Sequence, residues 1–228
     1  MLVGKGLLAN AFKHYSANSN VILFASGVSN SREIDIVKFE REFELLKSYS
    51  SHNSKLIYFS TCSVSDESLK DSAYIQHKLK IEKYISKNFS SFIIFRLPIV
   101  VGNTSNPHTL TNFLFNTIKA EQKFLLFANA HRYLIDVDDL SVLLSGIIDS
   151  IEYDNKILNI CFNNKISILE LVSIFEKIIG KKALYEMSKK GSVYIPNNVE
   201  FINYLQKLDF KIKTSYNEDV IAKYYSNR

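Results

Sequence analysis

Two rhythms of apolar and polar positions alternate along the chain. Short, nearly continuous apolar runs, the mark of strands buried on both faces, lie near 1–3, 21–25, 55–60, 92–96 and 157–161. Between them, positions on one helical face recur at three and four residues, as in Ile36, Phe39, Phe43 and Leu46, and again in Tyr74, Lys78, Ile81 and Ile85. Two later helices run from Leu140 to Ile151 and from Ile168 to Ile179. The second has sharp bounds, because Ser167 and Glu170 stand at capping-box spacing before it and Gly180 can close it. Asn103, Thr104, Ser105, Asn106 and Pro107 make 103–112 a loop. Strands separated by helices predict an α/β fold with a doubly wound parallel sheet. The sheet should occupy residues 1–162, with a substrate-side insertion at about 99–130 and a small C-terminal helical lobe over 163–228.

Length and composition narrow the class. A chain of 228 residues with 46% apolar residues buries a core without staples. Its two cysteines, Cys62 and Cys161, are far apart in sequence and show no metal-ligand spacing, so free thiols are expected. No apolar run reaches the roughly 18 residues of a membrane span and no secretory leader is evident, which predicts no membrane association and a cytoplasmic location. The net charge is +5, but basic residues are scattered among 23 acidic ones. That distribution argues against nucleic acid and suits an anionic small molecule. Asp136, Asp138 and Asp139 lack histidines or further acids at ligand spacing and read as the start of the helix at Leu140, so no metal is expected. His108 and His131 read as loop or surface residues, and the abundant tyrosines and phenylalanines as core.

Candidate chemistry falls at two places. Gly4-Lys5-Gly6-Leu7-Leu8-Ala9 follows the first apolar run and leads into a helical stretch, the position of a Rossmann-like dinucleotide-binding turn. Glycines there let the backbone turn tightly and let a pyrophosphate approach the helix amides. Only about a dozen residues then precede the next strand at Val21, so the strand that would carry a ribose-binding acid is missing. The second place is Tyr74-Ile75-Gln76-His77-Lys78, where phenol and ammonium lie four residues apart on one helix face. A lysine near the phenol is expected to lower its pKa toward that of a working general acid/base and to hold a ribose hydroxyl. The preceding strand ends in Ser60-Thr61-Cys62-Ser63, where a parallel strand delivers side chains to its carboxyl-end crevice.

Taken in order over some 200 residues, these segments resemble the extended short-chain dehydrogenase/reductases, the sugar-nucleotide epimerase/dehydratase/reductase group. Val21 through Ser26 is similar to the family's strand beneath the cofactor, Phe59-Ser60-Thr61 to its catalytic-hydroxyl strand, and Ala73 through Glu82 to its catalytic helix. Phe95-Arg96-Leu97-Pro98 through Gly102, His131-Arg132-Tyr133 through Leu140, Asn159-Ile160, and Lys207 through Ser215 are similar to later family segments.

The resemblance implies NAD or NADP as cofactor, with Gly4, Gly6, Leu7, Leu8, Ala25, Ser26, Lys78 and Pro98 binding it. Thr61, Tyr74 and Lys78 take the catalytic roles, and Thr61, Cys62 and Arg132 meet a nucleotide-diphosphate sugar. It also implies a homodimer through helices at about 34–49 and 73–88, with Ile34, Leu45 and Tyr84 available to the pairing. The expected activity is 4-epimerisation or 4-ketoreduction in surface polysaccharide biosynthesis. The alternative is a non-catalytic, shortened nucleotide-sensing or scaffold module. Cys62 and Ser63 replace the acidic pair that dehydratases carry, which argues against dehydration, and Ile99 stands where many members have a sugar-contacting asparagine.

Overall fold

A computed structural model of the chain describes residues 1–228. The first half runs β1 (Leu2–Val3), α1 (Leu7–Ala11), β2 (Val21–Phe24), α2 (Ile36–Lys47), β3 (Lys55–Thr61), α3 (Ala73–Asn88) and β4 (Phe92–Leu97). A middle section follows with β5 (Ile99–Val101), α4 (Leu110–Lys119), β6 (Phe124–Phe127), β7 (His131–Arg132) and β8 (Leu134–Asp136). The chain then forms α5 (Val137–Ile148), β9 (Lys156–Asn159), β10 (Ile166–Ser167), α6 (Ile168–Ile179), β11 (Tyr185–Ser188), α7 (Val199–Lys207) and α8 (Tyr216–Tyr225).

The main sheet has five parallel strands in the order β1-β2-β3-β4-β9. Alternating side chains of the same strands serve two cores, as the period of two requires. Leu23, Ile57, Phe59, Ile93 and Phe95 face one way, toward α5, α6 and the turns after α1. Ile22, Phe24, Leu56, Tyr58 and Ile94 face the other way and pack on Leu46 of α2 and Ile81 and Ile85 of α3. The first of these cores continues without a break into 163–228 through Phe175, Phe201 and Tyr216. That C-terminal region also supplies β10 and β11, which pair with β7 and β6.

Each step across the sheet goes the same way, yet α1 and α5 lie on the opposite face from α2 and α3. The β1–α1–β2 connection therefore has the opposite hand to β2–α2–β3, against the strong rule that parallel crossovers are right-handed. With right-handed crossovers through α2 and α3, α1 sits on the face that a right-handed crossover leading outward past β1 would use. The β4–α5–β9 connection is reversed in the same way, and β1 is left as an edge of the sheet.

Two helices start or face differently from the pattern. Asp136 caps α5 by accepting from Asp138 N at 2.9 Å, so that helix begins three residues before Leu140. On α2 the buried positions are Phe39, Glu42 and Leu46, while Ile36 is exposed. The apolar spacing pointed to Phe43 at this place because a glutamate reads as solvent-facing. The capping box of α6 and the left-handed Gly180 after it are present as the residues predict.

Candidate functional site

Three sheet residues and one helix form the centre of the site. On β3, Tyr58 and Ser60 point to the α3 face, and Arg96 of β4 joins them there. Lys78 donates to Tyr58 OH at 2.9 Å, and Glu82 accepts from Ser60 Oγ at 2.6 Å. Glu82 is also gripped by the Arg96 guanidinium through Nε at 3.0 Å and Nη2 at 2.6 Å, a bidentate pair. One face of α3 thus carries Tyr74, Lys78 and Glu82 at successive four-residue steps.

Tyr74 is 8% exposed and packs among Val28, Phe39 and Ile75. The Lys78 ammonium lies 5.7 Å from its ring centroid. Burial, and then the negative charge of Glu42, push the Tyr74 phenol well above its ordinary value. This is the reverse of the direction expected from the lysine alone. The reason is that burial of the phenol dominates and that Lys78, paired at 3.0 Å with Glu42, does not offset it. Thr61 ends β3, and its hydroxyl accepts from Ser63 N at 3.1 Å, which leaves its proton free to donate. Tyr74, Lys78 and Thr61 therefore share the carboxyl end of the sheet, although no hydrogen bond links Thr61 to the other two.

Around this centre the other candidates fall at different depths. Cys62 is fully buried and its thiol donates to Arg96 O at 3.0 Å, so it faces the protein. It packs with Tyr133, Tyr194 and Cys161, and both cysteines are free. Arg132 lies in this neighbourhood as well. Burial and the nearby Cys62 raise the Tyr194 phenol to about 12, against the opposing pull of the Arg132 charge and a hydrogen bond with Ser63. Within the protein the Arg132 guanidinium bonds to His131 O at 2.7 Å, leaving most of its fork unused. Pro98 follows β4 directly.

On the opposite side, Gly4 adopts φ +131°, and a Cβ there would come within 2.5 Å of Ala25 O. Only glycine lets β1 turn this close to the end of β2. Gly6 has open space where its side chain would be, and Leu7 and Leu8 begin a helix only five residues long. Ser26 is tied to α2, its carbonyl accepting from Arg41 Nη2 at 2.9 Å. A cavity of about 380 Å³ lies elsewhere, between β9 and the start of α7, and none of these candidates lines it.

Four residues the sequence did not single out belong here: Gly27, Glu42, Tyr58 and His77. His77 is bonded to Glu42 at 3.0 Å and stacked on Phe39 with ring centroids 4.5 Å apart. The available signal was Glu42, a charge at the core-facing step between Phe39 and Leu46.

Solved structures share this architecture. The Bordetella bronchiseptica enzyme WbmH, in complex with NAD+, superposes with a TM-score of 0.71 at 15% identity, over 97% of this chain and 80% of its own. UDP-glucuronic acid 4-epimerase from Bacillus cereus, in complex with UDP-glucuronic acid and NAD, gives 0.68 at 18% identity over 98% and 80%. This is the sugar-nucleotide epimerase fold. RMD from Pseudomonas aeruginosa, complexed with NADPH, shares it too, with a TM-score of 0.66 at 12% identity over 99% and 88%. No protein-family model matches the sequence, and no curated protein matches it. The sheet of this chain ends at β1. No helix is long and apolar enough to cross a membrane.

Proposed function

We propose that the chain is an NAD(P)-dependent epimerase or 4-ketoreductase acting on a nucleotide-diphosphate sugar, in the making of a surface polysaccharide. What supports this most is the placing of Tyr74 and Lys78 on one face of α3, after a β3 strand that ends at Thr61, in a fold that is also found in structures holding NAD or NADPH. The residues fit the nicotinamide half of such a cofactor. Lys78 keeps one of its three donors unused by Glu42 and Tyr58, and the space beside Gly6 lets a pyrophosphate approach the backbone. When bound, the dinucleotide supplies a hydride acceptor or donor.

In this reading Tyr74 gives and takes the proton on the sugar oxygen, starting from the protonated phenol that burial and Glu42 maintain at neutral pH. Thr61 donates a hydrogen bond to the same oxygen, and Lys78 holds ribose. Arg132 meets the diphosphate with its free fork. Ala25, Ser26 and Pro98 line the cofactor, and Cys62 shapes the sugar side from behind Thr61. A homodimer through α2 and α3 belongs to the same proposal. Ile34 and Ile36, at 84% and 67% exposed, offer apolar surface to it, and a dimer mass in light scattering checks it.

The test is incubation with UDP-glucose, UDP-glucuronic acid and UDP-N-acetylglucosamine, each with the four nicotinamide dinucleotides, reading the sugar by NMR. A 4-epimer or a reduced 4-keto sugar that disappears in Tyr74→Phe is the expected result. Absence of either product with all combinations favours the second reading, a non-catalytic nucleotide-sensing or scaffold module. That reading draws on the enclosure of Lys78 and on the bare edge at β1.

A further inference from the structure

Glu42 is 0% exposed, and its carboxylate is saturated. Oε2 accepts from Val28 N at 2.7 Å and lies 3.0 Å from His77 Nε2. Oε1 accepts from Tyr58 OH at 2.6 Å and from Lys78 Nζ at 3.0 Å. Burial alone pushes this carboxyl up, but the Lys78 charge and the bonds from His77, Tyr58 and Val28 outweigh it and hold it down at about 2. The glutamate is therefore ionised at neutral pH.

Core packing does not require this arrangement. A buried ion pair offsets its own desolvation poorly, and apolar residues of similar volume hold a helix on a sheet as well or better. The network instead joins three parts of the candidate site: the turn after β2, the β3 strand and the lysine of α3. Gly27 shows how tightly they are joined. A methyl group there would stand 2.8 Å from Glu42 Oε1 and 2.9 Å from Lys78 Nζ, so the backbone of the turn lies directly over the ammonium. Lys78 is accordingly 2% exposed.

We propose that Glu42 is a positioning residue that latches the Ser26–Val28 turn over Lys78, so that a ligand's hydroxyls reach the ammonium only when this turn lifts. The latch is the bond from Val28 N, and the same carboxylate holds Lys78 beneath it. Glu42 thereby sets the fraction of molecules able to bind, because apparent affinity scales with the population of the open state.

Glu42→Gln keeps the shape and removes the charge. Intact protein is treated with an acetylating N-hydroxysuccinimide ester, and each lysine is followed by peptide mass spectrometry. Lys55 is the internal control, because its side chain is 14% exposed, paired with Asp154 at 2.6 Å, and sits at the far end of β3. The expected result is a Lys78 acetylation rate raised about tenfold or more in Glu42→Gln, the shift that follows loss of a charge-assisted hydrogen bond, with Lys55 unchanged. Tyr58→Phe removes the bonds of this hydroxyl to Glu42 and Lys78 but leaves the Val28 latch in place, and should raise the rate less than Glu42→Gln does. A Lys78 rate within about twofold of wild type in Glu42→Gln, or a rise shared by Lys55, overturns the assignment.

Access of ribose to Lys78 matters only if the functional reading above holds, and titration with NAD separates the two. Tighter binding by Glu42→Gln than by wild type supports both. If neither protein binds any nicotinamide dinucleotide while Lys78 labelling rises as expected, the functional reading falls and the latch stands.

Discussion

On the α3 side, Tyr58, Ser60 and Arg96 of the sheet meet Lys78 and Glu82 of the helix through bonds of 2.6 to 3.0 Å. On the glycine side, β1 has two residues, α1 has five, and nothing pairs with the outer edge of β1. The first half of the site is tightly tied, with Tyr58, Lys78 and Glu82 each held by two partners from different elements. The second half depends on one glycine conformation and on a helix of five residues. The contrast shows what the fold can shed. The proposed proton-handling end is built on β3, β4 and α3 in the middle of the sheet, whereas the proposed pyrophosphate end hangs on its edge strand, so the position of Tyr74 and Lys78 does not depend on what lies beyond β1.

The contrast predicts a ranked set of responses. Tyr74→Phe should lower turnover by about 10²- to 10⁴-fold, the usual value of a positioned acid/base. Its melting temperature should stay near wild type, since the Tyr74 hydroxyl bonds to no protein group. Glu42→Ala should cost about 3–5 kcal/mol in urea denaturation, because it leaves the Lys78 ammonium buried and unpaired. The same carboxylate gives a pH signature. Its folded-state pKa of about 2 lies below the ordinary 4.5, so its stabilisation is complete above 4.5 and is lost as the pH falls toward 2. Wild type should lose about 3 kcal/mol more than Glu42→Gln over that interval, and matched urea midpoints across it give the comparison.

The glycine side should respond less, and unevenly. Gly4→Ala forces a side chain onto φ +131° and against Ala25 O, costing about 1–3 kcal/mol. Gly6→Ala meets nothing within 4 Å, and its unfolding free energy should match wild type to within about 0.5 kcal/mol. If the two glycines were equally costly, or if Gly4→Ala exceeded Glu42→Ala, the ranking of the two halves would be wrong.

Much of the first half was legible in the residues. The five sheet strands announced themselves as apolar runs, α3 by its spacing, and α6 by spacing with a cap at Ser167. The paired strands β5 with β8, β6 with β11 and β7 with β10 carry no such signal. They span two to four residues, and the partner of Phe124 is Tyr185, too far along the chain for local pattern to register. Tyr74 and Lys78 were readable because their chemistry depends on four-residue spacing. Glu42 was not, since a charged residue counts as surface until its partners Val28, Tyr58 and His77 are known to surround it. The direction of the Tyr74 shift failed for a related reason, as burial sets its sign first and a carboxylate from another helix adds to it, and neither is visible in the local spacing.

The central claim is that a shortened sheet still presents a dinucleotide site beside Tyr74 and Lys78. Calorimetric titration with NAD, NADH, NADP and NADPH, repeated on Gly6→Val, tests it most directly. Gly6 has room for a side chain, so the variant should fold while filling the space a pyrophosphate needs. Micromolar binding of at least one dinucleotide by wild type, abolished in Gly6→Val, is the predicted result. No binding of any of the four, or binding that Gly6→Val leaves untouched, would contradict it.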